Sequence, residues 1–103
     1  MDATDNVRSY LRGQNLEQIG RPQEAVDLYE AIVDDGFDST GPYDRLIALH
    51  SATGAHKEVA RVAEAALENV RTYEDKRAWY ERMRSEALKA QSRVPKAAPK
   101  PRP

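Results

Sequence analysis

The stretch Gly20-Arg21-Pro22-Gln23-Glu24-Ala25-Val26 returns in altered form at Gly54-Ala55-His56-Lys57-Glu58-Val59-Ala60. Each copy runs glycine, three residues, glutamate, then a small or branched apolar residue. The glycines and the glutamates are both 34 positions apart. Matching segments at that period mark a helix-turn-helix repeat, whose units bury their apolar faces against one another. Glycine suits the left-handed residue that closes a helix. Pro22 suits the first turn of the next helix, where a missing N–H does no harm. Two helical hairpins in one register are therefore expected.

Working outward, Thr4 or Asp5 can cap a first helix reaching about Ile19, with Val7, Tyr10 and Leu11 at the spacing of a buried face, widened by Leu16 and Ile19. Gly13 lies inside it at a cost of about 1 kcal/mol against alanine, which close approach by a neighbouring helix would offset. The second helix carries Ala25, Val26, Leu28, Tyr29, Ile32 and Val33, a stripe broad enough to pack on both sides, and Gly36 stops it. Phe37 is the one residue able to pin the polar turn 34–41 to the core. Pro42, with Thr40 or Gly41 as cap, opens a third helix bearing Tyr43, Leu46, Ile47, Leu49 and His50. The fourth, from about His56 to Val70, steps by three and four through Val59, Val62, Ala63, Ala66, Leu67 and Val70. Thr72-x-x-Asp75 has the form of a capping box for a fifth helix ending near Gln91. One side of that helix holds Trp79, Tyr80, Met83, Ala87 and Leu88; the other is heavily charged, as suits the outermost member of a stack.

From Arg93 the chain has four prolines, four cations and no acid. An extended, polyproline-biased tail over residues 93–103 is expected, following a helical domain over 1–92. The 103 residues make at most one domain, with a thin core. Mean hydropathy of -0.80 and 32% charged residues sit beside 40% apolar ones, enough for a small core. No apolar run of membrane-spanning length and no leader segment occurs, so the expected location is the cytoplasm. Absent cysteine excludes disulfides, thiolate metal sites and cysteine nucleophiles.

On these residues the chain resembles the tetratricopeptide-repeat family. The first repeat covers about residues 4–37 and the second 38–71, with the fifth helix as a cap. The family's mid-helix small residue is matched by Gly13 (Ile47 in the second copy) and its turn glycine by Gly20 and Gly54. The early small residue of the second helix is matched by Ala25 and Val59, the aromatic by Tyr29 (Ala63 in the second copy), and the later alanine by Ala66 (Ile32 in the first). Neither copy has the closing proline; Phe37 and Arg71 stand there, and Arg12 holds a site normally leucine. The resemblance implies an all-α, right-handed α-solenoid whose first helices line a concave groove. Its groove sites fall on Val7, Tyr10, Gln14, Glu17, Asp44, Ala48 and Ser51, with Arg77, Tyr80 and Arg84 added if the fifth helix continues the stack. Clamps that grip a peptide's terminal carboxylate begin with lysines and asparagines; here Tyr10, Gln14 and Asp44 stand instead. The same helices also fit another hairpin array or a plain four- or five-helix bundle.

No phosphate loop, HExxH or GxSxG motif occurs, so no enzyme activity and no cofactor is expected. His50 and His56 have no cysteine and no carboxylate at ligand spacing, and no metal site is expected from them. Asp34-Asp35 reads as a solvated turn. The charge is -6 over residues 1–45 (ten acids, four bases) and +5 over 46–103 (seven acids, twelve bases), a split that can steer a charged partner. Nucleic-acid binding through the fifth helix is disfavoured, because Glu74, Asp75, Glu81 and Glu86 interrupt its cations. The expected function is a non-enzymatic adaptor binding a peptide or protein segment. Self-association through the fifth helix, hiding Trp79 and Met83, is the alternative.

Overall fold

The computed structural model describes residues 3–71 and 76–97, with side chains as far as Arg93. They form five helices and, among the described residues, no strand: α1 (Ala3–Gln18), α2 (Pro22–Asp34), α3 (Thr40–Ala52), α4 (His56–Asn69) and α5 (Arg77–Ala97). The chain is all-α, as the periodicity predicts. No helix of the described residues is long and apolar enough to cross a membrane.

The two glycine turns share their closing hydrogen bonds. Gly20 and Gly54 have φ of +81° and +71°, where a side chain would be strained. Arg21 N–H donates to the Leu16 carbonyl at 2.8 Å and Gly20 N–H to that of Glu17 at 3.1 Å. Thirty-four residues on, Ala55 N–H donates to His50 at 2.9 Å and Gly54 N–H to Ser51 at 3.1 Å. This is the Schellman closure, which satisfies the last carbonyls of a helix. The next helix starts alike in both copies: Ala25 N–H donates to Arg21 and Val59 N–H to Ala55, at 3.3 and 3.0 Å. Pro22 opens α2 as expected. α3 begins two residues before Pro42, so Ser39 stands at the cap position in place of Thr40 or Gly41, without a side-chain cap bond.

Each helix packs on the next in sequence, and α2 also packs on α4. The shared seam is Ala25, Tyr29 and Ile32 of α2, Tyr43, Leu46 and Ile47 of α3, and Val62, Ala63 and Ala66 of α4, all essentially without solvent contact. Burying each large apolar side chain there contributes about 1.5–3 kcal/mol. Gly13 is required by α2: a Cβ there would lie 2.5 Å from Cε1 of Tyr29. Phe37 packs against the core, and its carbonyl accepts the Tyr43 hydroxyl at 2.8 Å. The molecule measures 55 × 32 × 19 Å, and the short dimension is about two helix diameters.

Two expectations are corrected, beside the cap of α1, whose start at Ala3 puts Thr4 and Asp5 inside its first turn. The buried line of α1 is Asn6, Gly13 and Leu16, with Tyr10 half-buried; Val7, Leu11 and Ile19 are 46%, 53% and 64% exposed. Tyr29 enters at Gly13 and rotates the contact face away from Val7 and Leu11, while Asn6 Nδ2 donates to Asp35 Oδ2 at 2.9 Å. Asp35 is thereby tied to α1 instead of merely solvated. The second correction concerns α5, which runs past Gln91 and through Pro95 to Ala97. Residues 93–97 are thus helical and not extended. A proline in a helix interior costs about 3 kcal/mol, and Pro95 stands in the last turn of α5, which ends at Ala97. The Thr72–Asp75 capping box and residues 98–103 lie outside the described residues.

Candidate functional site

Three polar networks tie the helices together, and they decide which expected groove residues remain free. The first joins α1, α2 and α3. Tyr29 is wholly buried, so its hydroxyl needs a partner, and it donates to Glu17 Oε2 at 2.6 Å. Arg45 grips the same carboxylate with both ends of its guanidinium, Nε to Oε2 at 3.1 Å and Nη2 to Oε1. Hydrogen bonding from Arg45, and less so from Tyr29, holds the Glu17 carboxyl below its usual range against the effect of burial. Burial and the neighbouring carboxylate push the Tyr29 phenol well up, so it stays a donor. The Tyr10 ring lies tilted at 47° against that of Tyr29, with centroids 5.8 Å apart, and its hydroxyl accepts a bond from Gln14 Nε2 at 3.1 Å. Tyr10 also fills the space over Gly41 of α3, where a Cβ would sit 2.6 Å from its ring.

The second network joins α3 to α5. The Tyr80 hydroxyl donates to Asp44 Oδ1 at 2.8 Å, and Lys76 pairs with Asp44 Oδ2 at 3.2 Å. Tyr80 is 1% exposed, and burial first, then Asp44, raises its phenol far above the ordinary value. The Lys76 ammonium also lies 4.2 Å from the centroid of Trp79, a favourable cation–π geometry.

The third network lies at the Gly54 end. Glu30 of α2 accepts Arg61 Nη2 at 2.6 Å and stands 3.0 Å from His50 Nε2; Arg61 Nε also donates to Glu58 at 2.7 Å. No carboxylate stands at ligand spacing from the histidines in the sequence, but the fold brings Glu30 and Glu58 to His50. A signal for it existed: His50 is 34 residues after Leu16, a core position, and a polar residue in a core position requires a partner.

The groove residues taken from the family pattern therefore divide. Tyr10, Glu17 and Asp44 are committed to other helices, and Tyr80 is a packing residue that no ligand could reach. Arg77 turns away, donating to the Leu67 carbonyl at 3.2 Å and pairing with Glu81 at 3.7 Å. Gln14, Ala48, Ser51 and Arg84 keep solvent access. Among the described residues no carboxylate pairs with Arg84, which is half-buried. Register places these side chains. Asp44 bonds Tyr80, and Ser51 lines one cleft with Ala87; both pairs are 36 apart, so Arg84 lies opposite Ala48. That cleft, of about 230 Å³, has Val59, Met83, Ala87 and Ala90 as its apolar lining and Ser51, His56 and Glu86 as its polar one. Trp79 and Met83 are half-buried against the core, which leaves Leu88 as the exposed large apolar side chain of α5 among the described residues.

No family model, no curated protein and no solved structure matches the chain.

Proposed function

We propose that the chain is a non-enzymatic protein-interaction module of the tetratricopeptide type. Two hairpins and α5 as cap stack in a right-handed α-solenoid, and a peptide or protein segment lies along the surface shared by α1, α3 and α5. The observation that best supports this is the direct contact between alternate helices. Tyr10 sits on Gly41, Arg45 on Glu17, and Tyr80 on Asp44. Such contacts fit a row of α1, α3 and α5, with α2 packed on α4 behind it. The open strip then runs from Gln14 past Ala48 and Ser51 to Arg84. Small residues at 48 and 51 leave room for an extended backbone, and Arg84 offers a guanidinium to a ligand carboxylate. Affinity arises from these few anchors and the neighbouring cleft, not from area.

The test is selection of peptides from a random display library on the intact chain, followed by titration of the recovered sequences. Ala48→Arg fills the strip at an exposed helix position and should leave the melting temperature unchanged. It should weaken recovered peptides at least tenfold, while Asp27→Arg on the exposed face of α2 does not. Peptides that bind both variants equally would place the ligand elsewhere and end this reading.

A further inference from the structure

We propose that Glu30, His50 and Glu58 form a site for a divalent transition ion of the zinc type, which Arg61 holds closed. One donor atom from each residue lies within 4.8 Å of the other two. They come from three helices: Glu30 from α2, His50 from the last turn of α3 and Glu58 from the first turn of α4. The Gly54 closure fixes their approach, because the His50 carbonyl accepts both Ala55 N–H at 2.9 Å and the Thr53 hydroxyl at 3.1 Å.

Glu30 Oε2 and His50 Nε2 are 3.0 Å apart. Two donors bonded to one tetrahedral zinc at about 2.0–2.1 Å stand about 3.3 Å from each other, so this edge of the tetrahedron has to open by only about 0.3 Å. The place of the ion is taken by a cation. Arg61 Nη2 lies 2.6 Å from Glu30 and 2.7 Å from Glu58, bridging the two carboxylates beside the imidazole. A set of one imidazole and two carboxylates suits zinc and its neighbours better than magnesium or calcium, which take oxygen donors. A divalent ion also balances the two carboxylates fully, whereas Arg61 brings a single positive charge to the pair.

Arg61 is able to leave. Its side chain is 44% exposed and that of Glu58 41%, so solvent screens that pair, and the pair with Glu30, 26% exposed, less so. Binding requires the lone pair of His50 Nε2, and the ring proton then resides on Nδ1. With three protein donors, water would complete the coordination. An ion held this way ties α2, α3 and α4 together and stabilises the fold. None of this depends on the peptide strip, which lies along α1, α3 and α5.

The experiment is calorimetric titration of the full chain with zinc chloride at neutral pH, alongside thermal melts with and without the metal. One saturable equivalent and a raised melting temperature are expected. Arg61→Gln should tighten binding at least tenfold, Glu58→Gln should weaken it at least tenfold, and His56→Ala should change nothing. His50→Ala should abolish binding; if circular dichroism finds that variant unfolded, Arg61→Gln and Glu58→Gln decide. The proposal is overturned by no saturable heat in either the parent or Arg61→Gln, by binding indifferent to Glu58→Gln, or by loss through His56→Ala.

Discussion

In the first hairpin Gly13 on α1 makes room for the ring of Tyr29 on α2. In the second, the positions 34 residues on are Ile47 and Ala63, buried to the same degree as Tyr29. The large residue has moved from the second helix of the pair to the first, and the small one has moved the other way. Both hairpins are nevertheless closed by the same hydrogen bonds at Gly20 and Gly54. The repeat thus conserves the backbone closure and the summed volume across the seam, while the identity of knob and hole is free. The exchange of Leu16 for His50 follows a different logic. Volume is roughly kept, but polarity enters the seam and brings Glu30 and Arg61 with it.

That inversion can be broken directly. Ala63→Tyr alone should cost about 3 kcal/mol, because it places a second large residue against Ile47. Adding Ile47→Gly should return at least about 1 kcal/mol in spite of glycine's own helix penalty. Urea denaturation of the two single variants and the double one measures the coupling, and strict additivity would show that the positions are not counterparts. A smaller effect tests the sameness of the turns. No atom lies within 4 Å of a Cβ built at Gly20 or Gly54, so Gly20→Ala and Gly54→Ala should each cost only the left-handed backbone strain, about 1 kcal/mol. Melting temperatures that fall by clearly different amounts would mean that the closures are not equivalent.

The smallest effect is a pH dependence. The folded state lowers the Glu17 carboxyl through Arg45 first and Tyr29 after. A lowered folded value means that its contribution is present above the ordinary glutamate range and is lost as pH falls through the lowered value. Glu58 is lowered by Arg61 in the same sense, but its side chain is 41% exposed against 14% for Glu17, and solvent screens it more. Melting temperatures followed from about pH 6 to about pH 3 should therefore drop less in Glu17→Gln than in the parent. Glu58→Gln should alter that slope less; an equal change from both would assign acid sensitivity to the two hairpins alike.

The helices themselves were legible because their stops are chemical. Gly20, Gly36 and Gly54 all close helices with positive φ, and the unbroken stepping of Val59 through Ala66 leaves α4 no other face to bury. The face of α1 was not legible, since Val7 and Leu11 satisfy helical spacing as well as Asn6 and Gly13 do. Only the partner at Tyr29 distinguishes the two. The end of α5 was obscured by Pro95, which reads as a stop but here falls within the helix. For the candidate site, the family pattern pointed to α1, α3 and α5. It did not reveal that Glu17, Asp44 and Tyr80 are consumed by partners 12 to 36 residues away, because hydrogen bonds between helices leave no local periodicity.

Packing of each helix chiefly on its successor also governs how the chain would gain and lose its structure. Short closures with few distant pairings favour rapid acquisition of the fold. Loss should then begin at the extremities. Amide protons of α1, which leans on one neighbour along most of its length, should exchange with deuterium before those of α4, clasped between α3 and α5.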